Sequence, residues 1–147
     1  MMATTFSGIV GAVIELLGQA PAVSPNIYRA RDRAIPKQNE TAVTVLWDGA
    51  MPTPGAIVNA PVDWQTRVVV ECYARSTDTG GDEAVDPLLL AVYDRMASDT
   101  TLGNRVFDIG SPALEAEYGA DGEKTGWVRM TYVVRHRTKN STLEVTL

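Results

Sequence analysis

The chain has 147 residues, 45% of them hydrophobic and 21% charged, which suits a single domain with a real core and excludes a disordered tail. Its formal net charge of −5 argues against a nucleic-acid binder held by bulk electrostatics and leaves room only for a local basic stripe. One cysteine and one histidine allow no internal disulfide and next to no scope for a zinc site of the usual Cys/His kind.

The first predicted element is a helix. In "FSGIVGAVIELLGQAPA", Phe6, Ile9, Val10, Val13, Ile14 and Leu17 recur at three- and four-residue spacing and so share one face. Thr4 or Thr5 is placed to cap its start, and Gly18 followed by Pro21 marks its stop. The opposite face carries the small residues Gly8, Gly11 and Ala12 together with Glu15. The stretch resembles a secretory signal ending in Ala20-Pro21-Ala22, but no basic residue precedes it and Glu15 interrupts the apolar run. Too short and too amphipathic to span a bilayer, it reads as a helix of the mature protein lying on a sheet.

Strand-like runs follow at 26–33 ("NIYRARDR") and 41–48 ("TAVTVLWD"). Between Asp48 and Trp64, "GAMPTPGAIVNAPVD" holds three prolines and two glycines and reads as a long loop, Gly49–Asp63. Its Met51, Ile57 and Val58 need cover, which makes it either a contact arm or a flap folded onto its own domain. In "WQTRVVVECYAR" (64–75), Trp64, Thr66, Val68, Val70, Cys72 and Ala74 fall on one side of a strand. Gln65, Arg67, Glu71, Tyr73 and Arg75 fall on the other, where Glu71 can pair with a neighbour across strands. Cys72 among core positions reads as an inert thiol.

A second helix is predicted over 82–99, with Val85, Leu88, Leu89, Val92 and Met96 as its buried stripe and Asp82 or Asp86 as its cap. Pro87 is expected in or near the first turn, where no N–H partner is lost. Strands are then predicted at 105–110 and near 114–118, a turn at 119–123, and a last strand through "WVRMTYVVRHRT". There Val128, Met130, Tyr132 and Val134 face one way, while Arg129, Thr131, Arg135 and Arg137 face the other. His136 has core parity at the strand's end and reads as a structural histidine.

No phosphate-binding glycine loop, Gly-x-Ser-x-Gly elbow or His-Glu-x-x-His helix is present. Glu115 with Glu117, and Asp82 with Asp86, read as solvated faces rather than acid–base pairs. The element order predicts an α+β fold of one domain over 1–147, with two helices packed on one face of a mostly antiparallel mixed sheet. A flexible tail is expected from about residue 139 to 147.

That order, with "RVVVECYAR", "DEAVDPLLLAVYDRMASDTTLG" and "GWVRMTYVVRHRTK", resembles the tail-terminator proteins of tailed bacteriophages, the minor tail protein U-like family, over roughly residues 5 to 140. The resemblance implies a structural virion protein, not an enzyme, assembled in the host cytoplasm and sited at the head-proximal end of the tail. It implies a homo-oligomeric ring, commonly a hexamer, that caps the tail tube, ends polymerisation of tube protein and presents a surface to a head-completion or connector protein. No cofactor, metal, membrane or direct reading of nucleic acid is expected. Ring contacts need two different patches on each subunit. The candidates are Met51, Ile57 and Val58 of the loop and Arg67, Arg75, Arg129, Arg135 and Arg137 of the sheet, the arginines serving as a basic face for ring or tube. The alternatives are another neck component, such as a head-closure or tail-completion protein, and a monomeric small-ligand-binding domain.

Overall fold

A computed structural model of the chain describes residues 3–30, 40–53, 60–76, 80–119 and 124–144. Helix α1 spans Thr5–Gly18, and the Thr4 hydroxyl accepts the Ser7 N–H at 3.2 Å, so the cap is the expected one. Phe6, Ile9, Val10, Val13 and Leu17 are buried as the spacing predicts; Ala12 and Leu16 are buried too, because the second helix lies alongside.

That second helix, α2, spans Gly81–Ser98. Gly80 stands at its N-cap with no side-chain bond, so neither Asp82 nor Asp86 is the cap; Asp82 and Glu83 occupy the first turn, where they suit the helix dipole. Pro87 therefore lies inside the helix, beyond its first turn. The exposed prolyl position forgoes one intrahelical bond and the helix runs on, held by Val85, Leu88, Val92 and Met96 on its buried side.

The strands are β1 (Ile27–Arg29), β2 (Thr41–Thr53), β3 (Val62–Ser76), β4 (Asp108–Ile109), β5 (Ala113–Gly119) and β6 (Lys124–Thr138). They form one six-stranded sheet in the order β1-β2-β3-β6-β4, with β5 beside β4 along the same edge of β6. Only β1 and β2 run parallel. The architecture is the expected α+β one: α1 and α2 cover one face, over Val43, Val45, Val68, Val70, Cys72, Val128, Met130 and Val134. Period-two alternation in β3 and β6 sets that face, since successive side chains point to opposite sides.

At both its ends, the loop expected at Gly49–Asp63 gives way to strand. Gly49–Thr53 extends β2 and Val62–Asp63 opens β3, with Thr53 opposite Asp63 and Gly49 opposite Arg67. Pro52 is tolerated because β1 pairs β2 only at Val43–Val45; beyond that, among the described residues, the outer edge of β2 has no neighbour needing its N–H. Ile57 and Val58 lie outside the described residues.

The strand expected at 105–110 shrinks to Asp108–Ile109. Asp99 instead organises the preceding turn, its carboxylate accepting the N–H of Thr101 at 3.2 Å and of Gly103 at 2.9 Å. Leu102, Gly103 and Asn104 there take positive φ, which a strand cannot use. Past β6, the Leu143 carbonyl accepts the Thr5 N–H at 2.7 Å and Glu144 bridges Thr4, so the chain returns to the start of α1.

Candidate functional site

Strand parity and register bring most of the expected candidates together. Arg67 and Arg75 of β3, Arg129, Arg135 and Arg137 of β6, and Met51 of β2 all stand on the face of the sheet that the helices leave open. Met51, opposite Gln65, is 66% exposed.

The arginines do not form a bare basic surface, because acidic residues from neighbouring strands meet them. Glu71 and Arg129 face each other across β3 and β6 and bond at 3.1 Å, the cross-strand pair that the sequence suggests for Glu71. Asp48 occupies a register shift between Trp47 and Gly49. The extra residue at this bulge puts its carboxylate between two strands' arginines, 3.0 Å from Arg67 Nε and 2.9 Å from Arg129 Nη2. Arg137 binds Asp63 at 2.7 Å, and Arg135 binds Asp108 through both carboxylate oxygens, with Nε 2.8 Å from Oδ1. The guanidinium of Arg137 holds the Asp63 carboxyl below its ordinary value, and that of Arg135 does the same to Asp108; both arginines are raised in return. Arg75 lies 5.3 Å over the Tyr73 ring.

Nor is the face wholly polar. Ala42, Thr44, Val69 and Tyr73, at open-face positions, are buried. Tyr73 packs on Trp127 of β6 with ring centroids 4.6 Å apart. The face expected to be basic is thus a rim largely neutralised by its own carboxylates, around a partly apolar strip.

His136 is buried on the helix side, two residues before β6 ends. Phe6 at the first turn of α1 lies edge-on to it with centroids 5.6 Å apart, while Trp47 stacks on Phe6 and Trp64 meets Phe6 edge-on. Its Nε2 is 2.6 Å from the Thr66 hydroxyl; Nδ1 has no hydrogen-bond partner among the described residues. Burial pushes its pKa down to about 4, so the ring is neutral near pH 7. Cys72 is buried on the same helix side, further along β3, and burial pushes its thiol up to about 12. Among the described residues no group of three His, Cys, Asp or Glu is arranged to hold a metal ion, and no helix is long and apolar enough to cross a membrane.

Two further places escape sequence reasoning. At the N-terminal end of β6, Glu115 and Glu117 of the edge strand flank Trp127 and Arg129 around a groove of about 300 Å³. At the C-terminal end, Arg105, Phe107, Arg137 and Lys139 line a cleft of about 310 Å³ walled at its base by His136. Both depend on which strands lie beside β6, and periodicity within one strand carries no signal of that. No family model and no curated protein matches the sequence.

Proposed function

We propose that this chain is a structural protein of a phage tail. Its copies join into a ring, a hexamer in the resembling family, that caps the tail tube and ends its polymerisation. The opposite side of the ring offers a surface to a head-completion or connector protein. In this reading the chain is no enzyme and uses no cofactor; it works in the virion, at the head-proximal end of the tail, after assembly in the host cytoplasm.

One observation about shape carries the reading. Strands β2, β3 and β6 have 13, 15 and 15 residues, a span of roughly 45–50 Å at ~3.3 Å per residue. The covering helices have 14 and 18 residues, or roughly 21 and 27 Å at 1.5 Å per residue. The helices, starting at opposite ends of β6, keep its core side buried from Gly126 to Thr138, whereas the tip of β2 outruns them: Met51, Pro52 and Thr53 are exposed there. A stiff, open-ended sheet with an exposed apolar side chain supports docking against other subunits. The stated chemistry of the interior points the same way: the buried thiol and the neutral, buried imidazole are packing groups in this arrangement.

Electron microscopy of the purified protein mixed with uncapped tail tubes tests the proposal. The expected result is a ring on one end of each tube and an arrest of tube growth. Bare tube ends and unchanged growth at saturating protein would overturn it.

A further inference from the structure

Two acidic and two basic side chains without an ion pair stand at opposite ends of β6. Among the described residues, Glu115 and Glu117 of β5 have no ion pair, and neither do Arg105 and Lys139 beside the Phe107 cleft. Asp82 and Glu83 lie at the acidic end as well, since Gly81 of α2 packs directly on Thr125 and Gly126; Lys124 is the basic residue there. From Trp127 to Lys139 the strand direction covers roughly 40 Å at ~3.3 Å per residue. One copy cannot bring its own ends together.

Among the described residues, the acidic end is also an open sheet edge. β5 pairs only with β6, every one of its residues is exposed, and Tyr118 is 54% exposed on it. A free edge presents backbone N–H and C=O groups to any incoming chain. Two identical β5 edges would repel through Glu115 and Glu117, which disfavours a two-fold contact and leaves a head-to-tail one. The cleft at the other end supplies the opposite charge and its own apolar floor, Phe107, 55% exposed beneath Arg137.

We propose that the β5 edge of one copy, with Glu115 and Glu117, docks in the Arg105–Phe107–Lys139 cleft of the next copy. This assigns the two complementary patches of the ring and so rests on the ring reading above. Of the self-neutralised arginine rim, Arg137 then borders the subunit contact from the cleft and Arg129 from beside Glu115, while Arg67 lies outside both linings. With the chain at −5 overall, like copies repel on average, and a local match of opposite charges supplies both the attraction and the register.

The test uses the full chain and two exposed double variants, Glu115→Lys with Glu117→Lys, and Arg105→Glu with Lys139→Glu. Sedimentation velocity is run at low ionic strength on the wild type, on each variant, and on their 1:1 mixture, with thermal unfolding to confirm that each variant folds. The wild type should self-associate. Each variant alone carries two ends of like sign and should associate about tenfold or more weakly. The mixture can alternate, matching both contacts, and should recover wild-type association. A monomeric wild type, a variant that associates as the wild type does, or a mixture no tighter than its parts would each overturn the proposal. Capping of tail tubes separates the two readings. If both variants cap tubes as the wild type does, this contact is wrong and the ring reading survives. If the solution pattern is as expected and the wild type caps no tube, the contact survives and the tail reading falls.

Discussion

At the scale of single residues, parity within β6 is enough to place His136 on the core side, but not to bury it. Burial comes from Phe6, 130 positions earlier in the chain, whose ring lies against it. The consequence is a pKa lowered by desolvation to about 4, against an ordinary 6.5. The unfolded chain therefore takes up a proton before the folded one. The stability owed to a neutral His136 is complete above pH 6.5, is lost as pH falls toward 4, and changes no further below that. The imidazole is the only one in the chain, so its NMR signal is unambiguous, and its titration midpoint should lie near 4. A midpoint near 6.5 would mean that the ring reaches solvent. Cys72 gives an independent check of the same core. With its thiol raised to about 12 by burial, a thiol reagent at pH 8 should leave it unmodified in the native chain and label it fully in urea. Rapid labelling without denaturant would contradict the packing around it.

At the scale of elements, hydrophobic spacing reveals both helices and the long strands, because each repeats its period over several turns or pleats. The ends of elements were less legible. The prolines near Pro52 suggest a loop, yet an outer strand edge accepts proline, and which edge is outer depends on β1. Close helix–sheet and helix–helix contacts were equally hidden. Gly81 and Gly126 approach backbone to backbone, and a methyl group at either would overlap the other segment's backbone. Gly126→Ala should therefore cost about 3 kcal/mol of unfolding free energy in urea titrations, since neither backbone can retreat without moving α2. Arg95 of α2 closes the far end of α1: its Nη1 donates to the carbonyls of Leu16 at 2.8 Å and Gln19 at 2.9 Å, and Nη2 to Pro21 at 2.7 Å. A cation at a helix C-terminus satisfies carbonyls that have no intrahelical partner and suits the dipole. Arg95→Ala should cost about 2 kcal/mol by the same titration. A change near zero would show that water replaces the guanidinium at no loss.

At the scale of the whole molecule, the sequence shows five arginines on one face but not the aspartates that meet four of them, because Asp48, Asp63 and Asp108 reach Arg67, Arg129, Arg137 and Arg135 from neighbouring strands and need the register to be seen. These exposed pairs and the unpartnered ends of β6 differ in what salt does to them. The pairs Arg67–Asp48, Arg135–Asp108 and Arg137–Asp63 join side chains largely open to water, and exposed pairs of this kind contribute little to folding. The lowered carboxyls of Asp63 and Asp108 matter only in acid: the stabilisation is present above the ordinary value of 3.8 and fades as pH falls through the lower folded values, below the window set by His136. Raising salt at neutral pH should therefore move the urea midpoint hardly at all. The proposed association between copies follows a different rule, since the acidic edge and the basic cleft must find each other across solvent. The screening length shrinks from about 10 Å at 0.1 M salt to about 3 Å at 1 M, which removes that attraction before contact. Measured on one preparation, the folding midpoint should stay level from low to high salt while the sedimentation coefficient falls toward that of a single chain. If both fall together, the ion pairs of the open face hold the fold itself; if neither falls, the subunit contact is apolar and lies elsewhere, with Met51 at the exposed tip of β2 as the next candidate.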